Sequence, residues 1–168
     1  MPQQLDDLIF DRTQSDVNRV QSLTQKMIAG TATEAEKEEW LGGKMKGAWN
    51  ASDLNRIEAW TAYLYDVLLQ YGYTAVITPQ QGEWTESDIP TRSDIDRIRR
   101  NADALQTGFQ QIGDWRDIIY NNTMDFNQAN ALEWDLQRLY DWLQATVNGF
   151  MTKQANTLFM VAGGVFNN

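Results

Sequence analysis

Three stretches of the chain share one hexapeptide: Ser15-Asp-Val-Asn-Arg-Val20, Ser52-Asp-Leu-Asn-Arg-Ile57 and Ser93-Asp-Ile-Asp-Arg-Ile98. Each opens a run of apolar residues at helical spacing. Leu54, Ile57, Thr61, Leu64, Leu68 and Tyr71 recur at 3,4,3,4,3, and so do Ile95, Ile98, Ala102, Leu105, Phe109 and Ile112. Such spacing lines one face of an α-helix and commits the chain to burying that face. The residues ahead of each run can accept from the free N–H groups of a first turn. Thr13, Asn50 and Thr91 each stand three residues before an Asp, and Thr33 stands three before Glu36.

A fourth stripe, Leu132, Leu136, Leu139, Leu143, Val147 and Phe150, lacks the hexapeptide but matches the second helix differently. Asn55-Arg-Ile-Glu58 with Leu64-Tyr-Asp-Val-Leu68 aligns without a gap on Asn130-Ala-Leu-Glu133 with Leu139-Tyr-Asp-Trp-Leu143. Capping and core-facing residues alone account for Ser, Asp and the branched side chains, but not for the second register. Duplication of a helix pair, 13–72 copied as 91–150, explains both. The expected fold is therefore all-α, with duplicated helix pairs forming a four-helix-type domain. Helices are expected near 14–29, 52–71, 92–112 and 126–151, with a short one through Trp40 and Leu41.

Two segments are exceptions. Tyr73-Thr-Ala-Val-Ile-Thr78 is β-branched and stops at Pro79, and the end, Asn156 to Phe166, is apolar and β-prone. They could pair as a minor β-ribbon laid on the helices, since two strands alone are weak. The organisation reads as an arm at 1–12, a first helix-pair repeat at 13–78, and a linker at 79–90. A second repeat at 91–152 and an apolar tail at 153–168 complete it. Residues 114–125, with Trp115, Ile118, Ile119 and Tyr120, form a loop too apolar to lie free in water.

At 168 residues the chain can bury a real core. Its net charge of −9 argues against nucleic acid and against an anionic membrane surface. No stretch reads as a signal peptide or a membrane span. The chain has neither Cys nor His, which removes thiolate chemistry, disulfides and the commonest general base. Glu58 and Glu133, in matching places at the edges of their stripes, could serve as an acid pair. Polar contacts between the helix pairs, made by Asn55, Glu58, Asn130 and Glu133, are the simpler reading. Glu34, Glu36, Glu38 and Glu39, with Lys37 among them, read as a solvated face rather than a metal site. Gly42-Gly43 and Gly163-Gly164 lack the strand–helix setting of a phosphate loop. Asn50-Ala-Ser52 and Asn121-Asn-Thr123 match the glycosylation acceptor by chance. Trp60, Trp134 and Trp142, at helical spacing, read as core. Trp49, Trp84 and Trp115 lie outside the helices; if exposed they would suit saccharide stacking or a protein contact.

Asp11 to Val20, Thr33 to Leu41, Lys46 to Glu58, Trp84-Thr-Glu-Ser-Asp-Ile-Pro-Thr91 and Asn127 to Glu133 together resemble a family of uncharacterised proteins encoded in phage and prophage tail regions. The resemblance covers most of the chain in order. It implies a virion- or tail-associated structural role, with other phage structural proteins or further copies of the chain as partners. It implies no catalytic residue, cofactor or metal, and places the protein in the bacterial cytoplasm during assembly and in the virion. The surface expected to make the contact is the linker 79–90 or the tail, through Leu158, Phe159 and Phe166. Saccharide binding by Trp49, Trp84 and Trp115 is the competing reading.

Overall fold

A computed structural model describes residues 5–79, 82–116 and 124–163, with side chains given as far as Lys153. Five helices follow in order: α1 (Gln14–Ala29), α2 (Glu34–Leu41), α3 (Ala51–Gln70), α4 (Arg92–Phe109) and α5 (Phe126–Gly163). The fold is all-α, and the described residues contain no strand. The first four helices start as their sequences dictate. Thr13, Thr33, Asn50 and Thr91 each accept from the N–H three residues on, and Asp16, Glu36, Asp53 and Asp94 return the bond to the cap backbone. The same chemistry also closes a turn in the linker, where Thr85 N–H and Oγ1 both donate to Asp88 Oδ2 at 2.7 Å.

The core joins α3, α4 and α5: Leu54, Ile57, Leu64 and Leu68 meet Ile98, Leu105, Leu132, Leu136, Leu139 and Leu143. No residue of α1 or α2 belongs to this cluster. Instead α1 packs on α2. That hairpin is tied by Arg19–Glu39 at 2.6 Å, Lys26–Glu36 at 2.5 Å and a bond from Trp40 Nε1 to Thr24 Oγ1 at 3.2 Å. The sequence correspondence is therefore closest for α3 and α5, whose Leu64 and Leu139 are both fully buried in one core. It is looser for α1 and α4. Of the α1 stripe only Leu23 is fully buried, whereas α4 sinks six residues between α3 and α5.

The three core helices run in the same direction. Arg56 and then Tyr63 of α3 meet Glu133 and then Tyr140 of α5. Glu58 meets Arg97, and just beyond the end of α3, Tyr73 meets Phe109 at the end of α4. Parallel neighbours cannot be joined by tight turns, so extended segments must carry the chain back along the bundle. Gly72, at φ 81°, takes the left-handed turn that ends α3. Residues 73–78 then run back along α4, from Phe109 to Asn101. They are extended, as their composition predicts, but their partner is a helix face and not a strand. Gly108 makes the close approach possible: a Cβ there would stand 2.3 Å from the Thr74 carbonyl oxygen.

Two expected boundaries shift. α4 stops at Phe109 rather than 112, because Gln110 turns fully extended; Ile112 still reaches the core from the loop. α5 continues to Gly163, so the backbone of 153–163 is helical and the β-ribbon is not formed. A helix satisfies its own backbone, and among the described residues no strand edge is offered for the segment to join. The expectations for residues 80–81, 117–123 and 164–168, including Ile118 to Tyr120, Asn121-Asn-Thr123 and Phe166, lie outside the described residues.

Truncating Leu64 or Leu139 to Ala should cost about 2–5 kcal/mol, since each leaves a cavity as well as losing transfer energy. Thr91→Ala should cost only about 1 kcal/mol, through one lost cap acceptor. Urea midpoints in the reverse order would contradict this core.

Candidate functional site

The densest polar feature is a buried cluster of four charges. Glu133 of α5 has no exposed surface, and Arg12, Asp53 and Arg56 around it are each less than a tenth exposed. Glu133 accepts four hydrogen bonds: from Ile9 N–H at 2.6 Å, from Arg12 at 2.7 Å, and two from Arg56 at 2.9 and 3.0 Å. Asp53 accepts from Arg12 at 2.9 Å and also from Arg56. With its other oxygen Asp53 caps α3, accepting from Asn50 N–H at 3.2 Å. Two guanidiniums and two carboxylates leave no net charge. Burial works against the charge of Arg56, but hydrogen bonds to Glu133 and Asp53 outweigh it and raise its pKa.

The Asp and the Arg of the hexapeptide gain a physical account here. In every copy its Asp completes a capping box and its Arg pairs with a glutamate of another helix. Arg19 takes Glu39, Arg56 takes Glu133, and Arg97 takes Glu58 at 2.5 Å. Glu58 and Glu133 therefore have separate partners and do not form an acid pair. Each bridges the two halves of the chain, Glu58 reaching α4 and Glu133 reaching α3.

Asn55 and Asn130 do something different. Each offers its side-chain amide to one residue of an extended segment and bonds both its N–H and its carbonyl. Asn55 holds Trp84 at 2.8 and 2.9 Å, and Asn130 holds Arg12 at 3.0 and 2.9 Å. Asn101 holds Thr78 in the same way, at 2.8 Å twice. A buried peptide group away from regular structure needs such a partner. At a fourth place an acid stands in this role. Asp135 accepts from Arg116 N–H at 2.9 Å, but its second oxygen is buried without a partner. Burial, with help from nearby Asp103 and Asp114, pushes its pKa up to about 7, against the pull of the Arg116 N–H and charge.

The candidate tryptophans are not a surface platform. Trp84 is buried in the core, while Trp49 and Trp115 are partly buried and packed against it. Trp49 lines a cleft of about 560 Å³ with Arg12, Met124 and Phe126. A second cleft of about 540 Å³ is lined by Asn55, Glu58 and Asn101, whose amides and carboxylate make the contacts above. Trp134 is covered by the Arg116 guanidinium at 4.1 Å and the edge of Phe10 at 5.4 Å. The exposed indoles are Trp40 and Trp142, so Trp142, expected in the core from its spacing, lies instead on the outer side of α5. The side chains of Leu158 and Phe159 lie outside the described residues.

Sequence reasoning missed Arg12, Arg56, Asn101 and Asp135, and read Asp53 only for its place at the start of α3. Arg12 was legible in principle as the one cation in an arm of apolar and acidic residues. Residues 5–12 are consequently tied to the bundle, while residues 1–4 of the expected arm lie outside the described residues. Leu5 and Leu8 pack on the core, and Trp60 Nε1 donates to the Asp6 carbonyl at 2.8 Å. Among the described residues no group of His, Cys, Asp and Glu is placed to hold a metal ion, and no helix is long and apolar enough to cross a membrane.

Compared with protein-family models, curated proteins and solved structures, the chain matches none.

Glu133→Gln should destabilise by about 3–5 kcal/mol, because it strands buried guanidiniums. Glu58→Gln, at a partly exposed pair, should cost much less in the same urea titration. For Asp135 the folded pKa lies above the ordinary 3.8, so its proton is held more tightly in the folded chain. Its contribution is complete below about pH 4 and is lost as pH rises towards 7, by roughly 4 kcal/mol at one unit per 1.36 kcal/mol. Asp135→Asn should therefore gain stability relative to the parent across that window and hold the gain above it. A difference that does not vary with pH would refute the assignment.

Proposed function

We propose that this protein is a non-enzymatic structural or adaptor module that acts by contact with other proteins, in the phage or prophage tail setting its sequence resembles. The observation that carries the contact role is the overrun of α5. Arg56 lies level with Glu133 and Tyr63 with Tyr140, both 77 residues apart, so Gln70 at the end of α3 falls level with residue 147. Glu58 lies level with Arg97, 39 residues apart, so Phe109 at the end of α4 reaches the same height as Gln70. Residues 148–163 thus run beyond both neighbours. Phe150 and Met151, just past that height, are 58 % and 63 % exposed. Two adjacent large apolar side chains held in water, on a helix that has outrun its neighbours, support a contact role for this end. The polar groups that could have suggested chemistry, Glu58 and Glu133, are spent on holding helices together.

Deleting residues 148–168 should leave the helical circular dichroism of the body and its urea midpoint close to those of the parent. It should abolish co-purification with tail proteins when the chain is expressed among its genomic neighbours. Entry of the truncated chain into particles would overturn the contact role of α5.

A further inference from the structure

We infer that Asn148, followed by Gly149, is a site of spontaneous deamidation, and that the bare stretch of α5 is what opens it to the reaction. The inference goes beyond the contact role proposed above and does not rest on it. These two residues form the single Asn-Gly pair in the chain. The fold does not require the glycine. Its φ lies outside the left-handed region, and a Cβ there would meet nothing within 4 Å. Gly47 and Gly108, by contrast, are pressed against backbone. Glycine inside a helix weakens it, and at 149 no packing offsets that loss.

The place matters as much as the pair. Asn148 stands just past the height at which α3 and α4 end, and residues 148–153 are exposed without exception. Six consecutive residues point to every side of a helix with 3.6 residues per turn, so no side of α5 is covered there. Thr152 Oγ1 donates to the Asn148 carbonyl at 2.9 Å, competing with the backbone bond that this carbonyl accepts. Helical turns without buried contacts open at low cost. Asn55, Asn101 and Asn130 spend both amide atoms on an extended peptide, whereas Asn148 lies exposed.

In an opened turn the Gly149 nitrogen is released from the carbonyl four residues back, and it has no side chain of its own to obstruct it. It bonds to Asn148 Cγ and gives up its proton, and the side-chain nitrogen departs with that proton as ammonia. Water then opens the five-membered imide at either carbonyl, leaving aspartate or isoaspartate at 148. Either product adds one negative charge to the −9 of the chain. The isoaspartyl form also adds one atom to the main chain, which the regular helical ladder does not accommodate. Phe150 and Met151 then lose their continuity with the body.

Ageing the full chain in warm neutral buffer tests the assignment. Tryptic cleavage after Arg138 and Lys153 isolates residues 139–153, in which Asn148 is the single asparagine. That peptide should gain one mass unit and an isoaspartyl form before any change is seen at Asn18 or Asn127, which are exposed but followed by Arg19 and Gln128. Ion exchange should resolve the aged chain as a species one charge more acidic. Gly149→Ala should slow the reaction by at least about fivefold, the factor that glycine's lower helix propensity supplies by itself. Conversion at 148 in the urea-unfolded chain but not in the native one would overturn the inference. So would conversion that begins at Asn18 or Asn127, or a Gly149→Ala variant that converts as fast as the parent.

Discussion

A carboxylate with no exposed surface governs how the rest of the molecule must be arranged. Glu133 lies between α3 and α5, and an unpaired charge there would be prohibitive. Its compensation comes from two separate stretches: the Ile9 backbone and Arg12 before α1, and on α3 Arg56 together with Asp53, which shares both arginines. Bringing those stretches together fixes α3 beside α5 in one register and draws the N-terminal segment across the bundle. Replacing such a cluster with apolar residues is often neutral or stabilising, so its value lies less in energy than in allowing one register. A bundle of leucine stripes alone would tolerate sliding by a turn; four interlocked charges do not.

The parallel course of α3 and α4 imposes a second constraint, since the chain must return along the bundle between them in an extended segment, and the residues before α1 also cross it extended. Regular strands would satisfy the backbone of such returns, but the chain instead pins single peptide groups on helix faces with asparagine amides. Asn55, Asn101 and Asn130 each provide one donor and one acceptor, which is what an isolated peptide unit requires. Asp135 when ionised offers acceptors and no donor, and its burial disfavours that charged form, so this is the place where stability should follow pH.

Much of this was readable from residues and some was not, for identifiable reasons. Capping boxes and 3,4 spacing are local, so the starts of α1 to α4 and the leucine core followed directly. The 73–78 segment was legible as extended but not as to its partner, because β-branched residues report backbone preference and not what lies beside them. Asn101 carries no local signal at all; its role depends on Thr78 arriving opposite it. Position outside a helix left the exposure of Trp49, Trp84 and Trp115 open, and for Trp84 it is decided by Asn55, which holds its backbone and draws it inward. The candidate contact surface was half legible. The apolar end was visible, but its helical form depends on continuity with Leu139 and Leu143, which composition alone understated.

The bond between Ile9 and Glu133 spans 124 positions along the chain. On a ribosome adding about 5–20 residues per second, the first part of this protein emerges several seconds before the carboxylate that completes it. During that interval Arg12 can find Asp53, but the Asn130 amide that holds its backbone does not yet exist. The capped helices α1 and α2 can form and pair at once, since their contacts are near in sequence. The bundle must wait for its last helix. Assembly is thus ordered in time by topology: a hairpin first, then a core that closes only when the two ends of the folded body meet, at the slower pace set by distant contacts.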